Sequence, residues 1–403
     1  MDKIIPFSPP DITQREIDEV VDTLKSGWIT TGPKTKLFEK KIADYCNAEK
    51  SVCLSSATAG LELILRMFDI GKGDEVITTP YTYSATANII LHTGAKPVFV
   101  DIGENCFNID YNQITKKITK KTKAIITVDY GGFPCDFDEI KEIINQNNKF
   151  KANANIFQKE TNRILLIDDA AHSFGSSYKN MRIGNGNIAD FTVFSFHAVK
   201  NLTTAEGGAI TFNRINNITS DEIYKQLMLL SLHGQSKDAL AKTIAGSWKY
   251  DIELAGFKYN MTDIQASIGI AQLERYDNEI IPKREKLFNI YLEQFKNNDK
   301  LIIPPFFDEN KKTNYHLFPI RIKGIDETKR DDIIKRMAEK KISLNVHFIP
   351  LPLLSLYKNL GYDIKDYPNA YNMYKNLITL PLYSKLSEED AIYVAEELKK
   401  IIN

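Results

Sequence analysis

Seven short β-branched runs alternate with helical stretches from residue 50 onward, which predicts an α/β fold: a large domain with a mostly parallel mixed sheet flanked by helices. The runs are SVCLSS, DEVITT, KPVFVDI, KAIITVDY, RILLIDDA, DFTVFSF and GAITFN. Several end in small or polar residues, and ligands of open α/β sheets gather at the carboxyl ends of strands. A change of texture after about residue 260 adds a small C-terminal α+β domain to the prediction.

Along the chain, SVCLSSATAGLELILRMF runs from a strand through small residues into an amphipathic helix. The polar stretch around QNNKFKANANIFQKETN, residues 145–162, reads as a surface insertion between a helix and a strand. MTDIQASIGIAQLERYDNEIIPKREKLFNIYLEQF repeats apolar residues at helical spacing and predicts a long helix linking two domains. YHLFPIRI and ISLNVHFIP read as strands, and SEEDAIYVAEELKKII as a helix with a capping Ser and acids in its first turn. We therefore expect a large domain over residues 1–275 and a small one over 276–403.

Lys plus Arg equals Asp plus Glu at 52 each, so the chain lacks the broad positive field of a nucleic-acid or membrane-surface binder. With 43% hydrophobic and 26% charged residues it has the composition of a folded soluble protein. No stretch approaches the roughly 20 apolar residues of a membrane span, and no signal-peptide pattern opens the sequence, so a cytoplasmic location is expected. Cys46, Cys53, Cys106 and Cys135 show no CxxC spacing and the histidines no HxxxH pair, which points away from disulfides and metal.

In FTVFSFHAVKNLTTAEGGAI, a strand beginning near Phe191 delivers Lys200 into a polar turn. By itself Lys200 reads more readily as a surface lysine. A lysine among apolar groups has a lowered pKa, however, and that opens Schiff-base chemistry with a carbonyl cofactor. Pyridoxal phosphate (PLP) also needs an acid for its ring nitrogen and donors for its phosphate. RILLIDDAAHSFGS ends a strand in Asp168 and Asp169; spacing alone does not settle between them, but the alanines after Asp169 leave room for a flat ring and favour it. Ser55, Ser56, Ala57, Thr58 and Ala59 lead into a helix N-terminus, where free N–H groups favour an anion. Ser195 adds a hydroxyl, and Tyr81 and Tyr83 supply rings able to stack on the cofactor or to fill a core.

Taken in order, SGWITTGPKTKLFEKKIADYC, SSATAGLEL, GKGDEVITTPYTYSATAN, GAKPVFVDI, IDDAAHSFGS, FSFHAVKNLTTAEGGA, GFKYNMTDIQASIGIAQL and ITLPLY span nearly the whole chain. In this set the protein resembles the DegT family of sugar aminotransferases, PLP enzymes of fold type I that act on nucleotide-linked keto sugars. The resemblance implies Lys200 as covalent anchor of the cofactor and catalytic residue, Asp169 as partner of the pyridine nitrogen, and His172 facing the ring hydroxyl. It also implies Tyr83 as the stacking aromatic, Thr58, Ala59 and Ser195 as phosphate contacts, and Thr30 and Thr31 at the sugar-nucleotide entrance.

Three positions depart from the family pattern. Ala57 stands where Gly is common. Lys258 replaces an Asn that reaches the phosphate in the neighbouring subunit, a role open to Lys258 or Asn260. Pro352 stands where relatives often carry His, leaving His347 as the substrate-binding candidate.

The resemblance further implies a cytoplasmic homodimer with shared active sites, taking glutamate and a nucleotide-linked keto-deoxy sugar aminated at C3 or C4, in surface-polysaccharide (lipopolysaccharide or O-antigen) biosynthesis. A branch of the family with histidine in place of the lysine removes a sugar hydroxyl instead. Lys200 favours transamination over that dehydration, and the full lysine, acid and ring-partner set over a non-catalytic regulatory homologue.

Overall fold

A computed structural model describes residues 4–237 and 248–402. Its main sheet is assembled from β1 (Lys50–Leu54), β2 (Glu75–Thr78), β3 (Lys96–Phe99), β4 (Thr122–Val128) and β5 (Leu165–Asp169), followed by β8 (Phe191–Ser195) and β9 (Gly208–Phe212). The two-residue strands β6 (Ser177–Tyr178) and β7 (Met181–Arg182) form a hairpin between β5 and β8. The order across the sheet is β1-β9-β8-β5-β4-β2-β3, and among the described residues only β9 runs antiparallel to its neighbours. All seven runs read as strands in the sequence are strands of this sheet.

Strand alternation divides the core into two layers, one on each face. Leu165 and Ile167 pack on one face with Val193 and Ile210, while Leu166 packs on the other with Ile125 and Phe194. The helix Ala57–Met67 lies in the first layer and is buried nearly all round, which explains its run of Leu61, Leu63, Ile64 and Leu65. Gly60 lets it approach closely: a Cβ there would lie 2.9 Å from Val193 Cγ1 and 3.1 Å from Ile210 Cγ1.

A second sheet, entirely antiparallel, is built from β10 (Leu301–Ile302), β12 (Phe318–Ile322) and β13 (Leu377–Leu380). Helices Ile281–Phe295, Glu327–Glu339 and Glu388–Ile402 supply its core. Two long-range pairings cross the expected 275/276 boundary. Ile5 pairs with Ile342, and β11 (Lys311–Lys312) pairs with β6.

Three expectations are modified. The long linking helix is two helices, Asp263–Glu274 and Ile281–Phe295, joined by a π-type turn at Tyr276–Ile280, with Pro282 opening the second. ISLNVHFIP is not a continuous strand: Asn345 pairs with Thr379, then the chain turns away because the Tyr81 and Tyr130 hydroxyls take the His347 carbonyl. The 145–162 stretch contains the helix Ile156–Thr161 and is anchored by buried Gln158, which donates to the Phe68 carbonyl at 2.7 Å. No described helix is long and apolar enough to cross a membrane.

Candidate active site

A cavity of about 370 Å³ opens at the carboxyl ends of β5 and β8. Period-two alternation places Asp169 and Ser195 on the face that carries Ile167 and Val193, so both side chains reach the cavity. Asp168 points to the opposite face. There Thr127 donates to it at 3.0 Å, and Asp129 lies in the same buried layer. The pleat thus places Asp169, the acid favoured from the sequence, in the cavity wall and Asp168 in the core.

Lys200 follows β8 through a turn in which its amide donates to the His197 carbonyl at 2.9 Å. Its ε-ammonium lines the cavity and makes no hydrogen bond or ion pair to the described residues. Burial lowers its pKa to about 8, while the carboxylate of Asp169 pulls the other way. Asp169 is raised by burial, and this is opposed by the Thr86 hydroxyl, which donates to Oδ2 at 2.7 Å, and by the Ala171 amide, which donates to Oδ1 at 3.3 Å. Behind the site, burial pushes Asp168 well up and Asp129 up to about 7. One oxygen of each is sealed off without a partner.

The helix Ala57–Met67 points its N-terminus into the cavity, with Ser56, Ala57 and Thr58 in the wall. Ser56 caps it, accepting from the Ala59 amide at 3.1 Å, so Ala59 spends its N–H inside the helix and lies outside the wall. Gly208, in register with both Leu54 and Ser195, keeps this corner open. A Cβ there would fall 2.4 Å from the Ala57 nitrogen.

His172 and His347 also line the cavity. Gly131 N–H donates to His172 Nδ1 at 3.2 Å, and the ring stacks on Phe348 at 5.7 Å. Tyr83 stands at the rim, 65% exposed, 6.2 Å from Phe348. Burial holds His347 down to about 3 and His172 well below its ordinary range.

Thr30, Thr31, Lys258 and Asn260 do not line this cavity. Three of them gather elsewhere: Asn260 donates to Thr31 Oγ1 at 2.6 Å, Thr31 donates to the Met261 carbonyl, and the Asp263 amide donates to the Thr30 carbonyl, while Lys258 pairs with Leu232. Sequence reasoning missed His316, which lines the cavity between His172 and the buried side chain of Asn201. Its only signal was a polar residue just ahead of the apolar run LFPI.

The donor set fits PLP: an amine, a carboxylate held by a hydroxyl, an imidazole, and a helix N-terminus with adjacent hydroxyls. A mixed α/β sheet with this constellation at its strand ends defines the architecture of the PLP-dependent sugar aminotransferases. The chain belongs to the DegT/DnrJ/EryC1/StrS aminotransferase family, whose model matches residues 10–399. It is similar to a protein assigned as a sugar aminotransferase, Spr1654 of Streptococcus pneumoniae, solved in its PMP form: 48% identity, TM-score 0.94, 99% of each chain covered. The spore coat polysaccharide biosynthesis protein SpsC of Bacillus subtilis is 39% identical over 99% of this chain and 97% of its own. An uncharacterized protein of Methanocaldococcus jannaschii, MJ1066, is 44% identical over 100% and 98%.

Proposed function

We propose that this protein is a PLP-dependent transaminase that moves an amino group from L-glutamate to C3 or C4 of a nucleotide-linked keto-deoxy sugar, in surface-polysaccharide synthesis in the cytoplasm. The observation that carries the reading is the Lys200 ammonium, unpaired in a cavity whose wall also holds Asp169 and a helix N-terminus. Family membership and the name of SpsC support the sugar and polysaccharide parts.

When bound, PLP supplies the aldehyde that carries the amino group and the conjugated ring that takes up an electron pair. Thr58, Ser195 and the helix N-terminus would hold its phosphate. Asp169 would keep a proton on the ring nitrogen, with Thr86 holding that carboxylate in place. His172 would offer its Nε2–H to the ring hydroxyl. Lys200, with a pKa lowered to about 8, would anchor the cofactor through its amine nitrogen, and the same amine is placed to carry a proton as general base and acid.

In this reading Thr30 and Thr31 border the sugar-nucleotide entrance, Lys258 or Asn260 reaches the phosphate site of a second copy, and His347 serves the sugar. The apolar residues Ile17, Val21 and Leu24, exposed at helical spacing on Gln14–Ser26, support a homodimer. Light scattering should give twice the chain mass; a monomer at working concentration removes the shared site. Residues 1–275 act as the cofactor-binding unit and 276–403 as the smaller one.

The decisive experiment incubates the protein with glutamate and a panel of nucleotide keto sugars, measures 2-oxoglutarate, and identifies the amino sugar by NMR. The purified protein should show a visible band that borohydride abolishes, and Lys200→Ala should lose amino transfer. Full transfer by Lys200→Ala would overturn the reading.

A further inference from the structure

Two imidazoles meet in the cavity wall, His172 and His316, with ring centroids 4.5 Å apart. Their proton positions follow from fixed donors and acceptors. His172 Nδ1 takes the Gly131 backbone N–H, which can only donate, so the His172 proton is on Nε2. Asn201 Nδ2 donates to the Asn314 carbonyl at 2.8 Å, which can only accept, so the amide of Asn201 cannot be turned round. Its Oδ1 therefore faces His316 Nδ1 at 2.8 Å, and His316 carries its proton on Nδ1. The two rings are opposite tautomers. His172 offers the cavity an N–H, and His316 offers a lone pair on Nε2.

That lone pair has no hydrogen-bond partner among the described residues, and Nε2 is not one of the polar atoms sealed from solvent without a partner. The ring is held from behind. Arg284, fully buried, donates to the carbonyls of Tyr315 at 3.0 Å, His316 at 2.7 Å and Leu382 at 2.9 Å. Tyr315 has φ 58°, a left-handed conformation rare for an aromatic residue, and it turns the chain so that His316 enters the wall. Burial and the nearby His172, Lys200 and Arg284 hold His316 well below its ordinary pKa, so the acceptor stays neutral.

We infer that His316 is a specificity residue: its Nε2 accepts a hydrogen bond from a hydroxyl of the sugar. The inference rests on the sugar-aminotransferase reading. A lone pair repels a carboxylate, and no arginine lines the cavity, so this wall suits a neutral hydroxylated ligand better than the amino acid's acid groups.

Two substitutions separate this role from a structural one. His316→Asn keeps a donor where Nδ1 stood, preserving the Asn201 contact, and removes the Nε2 acceptor. His316→Gln places an acceptor near Nε2 and gives up the Asn201 contact. The probe is a 4-keto-6-deoxyhexose carried on UDP, with the dTDP form as second arm, and the readouts are KM and kcat for the sugar and the single-turnover rate with glutamate. We expect His316→Asn to raise the sugar KM about 10- to 100-fold with the glutamate half-reaction within about 2-fold of wild type, and His316→Gln to recover most of the loss. The reverse order, or two variants equal to wild type, overturns the inference. Wild-type protein that exchanges no amino group with glutamate overturns the underlying reading and this one with it. Should both variants lose the fold, ¹⁵N NMR of wild-type histidines decides: a His316 Nε2 resonance that is unmoved by saturating sugar nucleotide overturns the proposal.

Discussion

Asp168 and Asp169 are neighbours in the chain and face opposite sides of the sheet: the Thr86 hydroxyl holds Asp169 at 2.7 Å in the cavity wall, and the Thr127 hydroxyl holds Asp168 at 3.0 Å in the core. One acid is available to a ligand. The other lies in the core near a second buried acid, Asp129, whose charge adds to burial in raising its pKa.

Thr86→Val removes the hydroxyl that most favours the charged form of Asp169 and leaves burial opposed only by the Ala171 amide and Lys200, so the carboxyl pKa rises further. The acid limb of the activity profile should move toward neutral pH by about one unit, with activity near pH 8 largely kept. Initial rates between pH 5 and 9 check this; an unmoved limb means that Asp169 does not set it.

Asp168→Asn should stabilise the protein at pH 8 and do less at pH 5. A raised folded pKa means that the native state holds protons which the unfolded chain has released above its ordinary 3.8, so stability falls as pH rises through that window. The amide keeps the Thr127 contact and removes one buried titratable group, a gain of about 1–3 kcal/mol at pH 8. Thermal melts at both pH values measure it, and destabilisation at both would show that the carboxyl is well accommodated.

Lys200 shifts the other way. Its folded pKa is lowered to about 8 against an ordinary 10.5, so the unfolded chain binds more protons between those values and stability rises with pH across them. Cofactor-free Lys200→Met should be more stable than cofactor-free wild type at pH 7 by about 1 kcal/mol, an amount reduced by the solvent the lysine still sees, and the gap should close by pH 10.5. Denaturant titrations at pH 7 and 10 read it.

Gly208→Ala places a methyl group 2.4 Å from the Ala57 nitrogen and 2.7 Å from the Phe194 carbonyl, both backbone atoms that cannot swing aside. The start of the Ala57–Met67 helix must shift, at a cost of about 1–3 kcal/mol. Retained PLP affinity, measured by spectroscopic titration, would show that the helix N-terminus does not hold the phosphate.

The strands, their order of appearance and the Lys200 turn were legible in the sequence because each rests on local pattern: β-branched runs, small residues at strand ends, a capped helix start. So was the chemistry class, since an anion-favouring helix N-terminus, an acid and an amine end or follow three of the strands. What only the tertiary structure decided lies between segments far apart in the chain. The pleat turned Asp169 into the cavity wall and Asp168 into the core. The Tyr81 and Tyr130 hydroxyls drew ISLNVHFIP out of its expected strand, and the proton on His316 was assigned by Asn201, 115 residues earlier. Local preference determines which element forms; hydrogen-bond partners for a buried polar atom come from wherever the fold brings them, and no pattern within one segment records that.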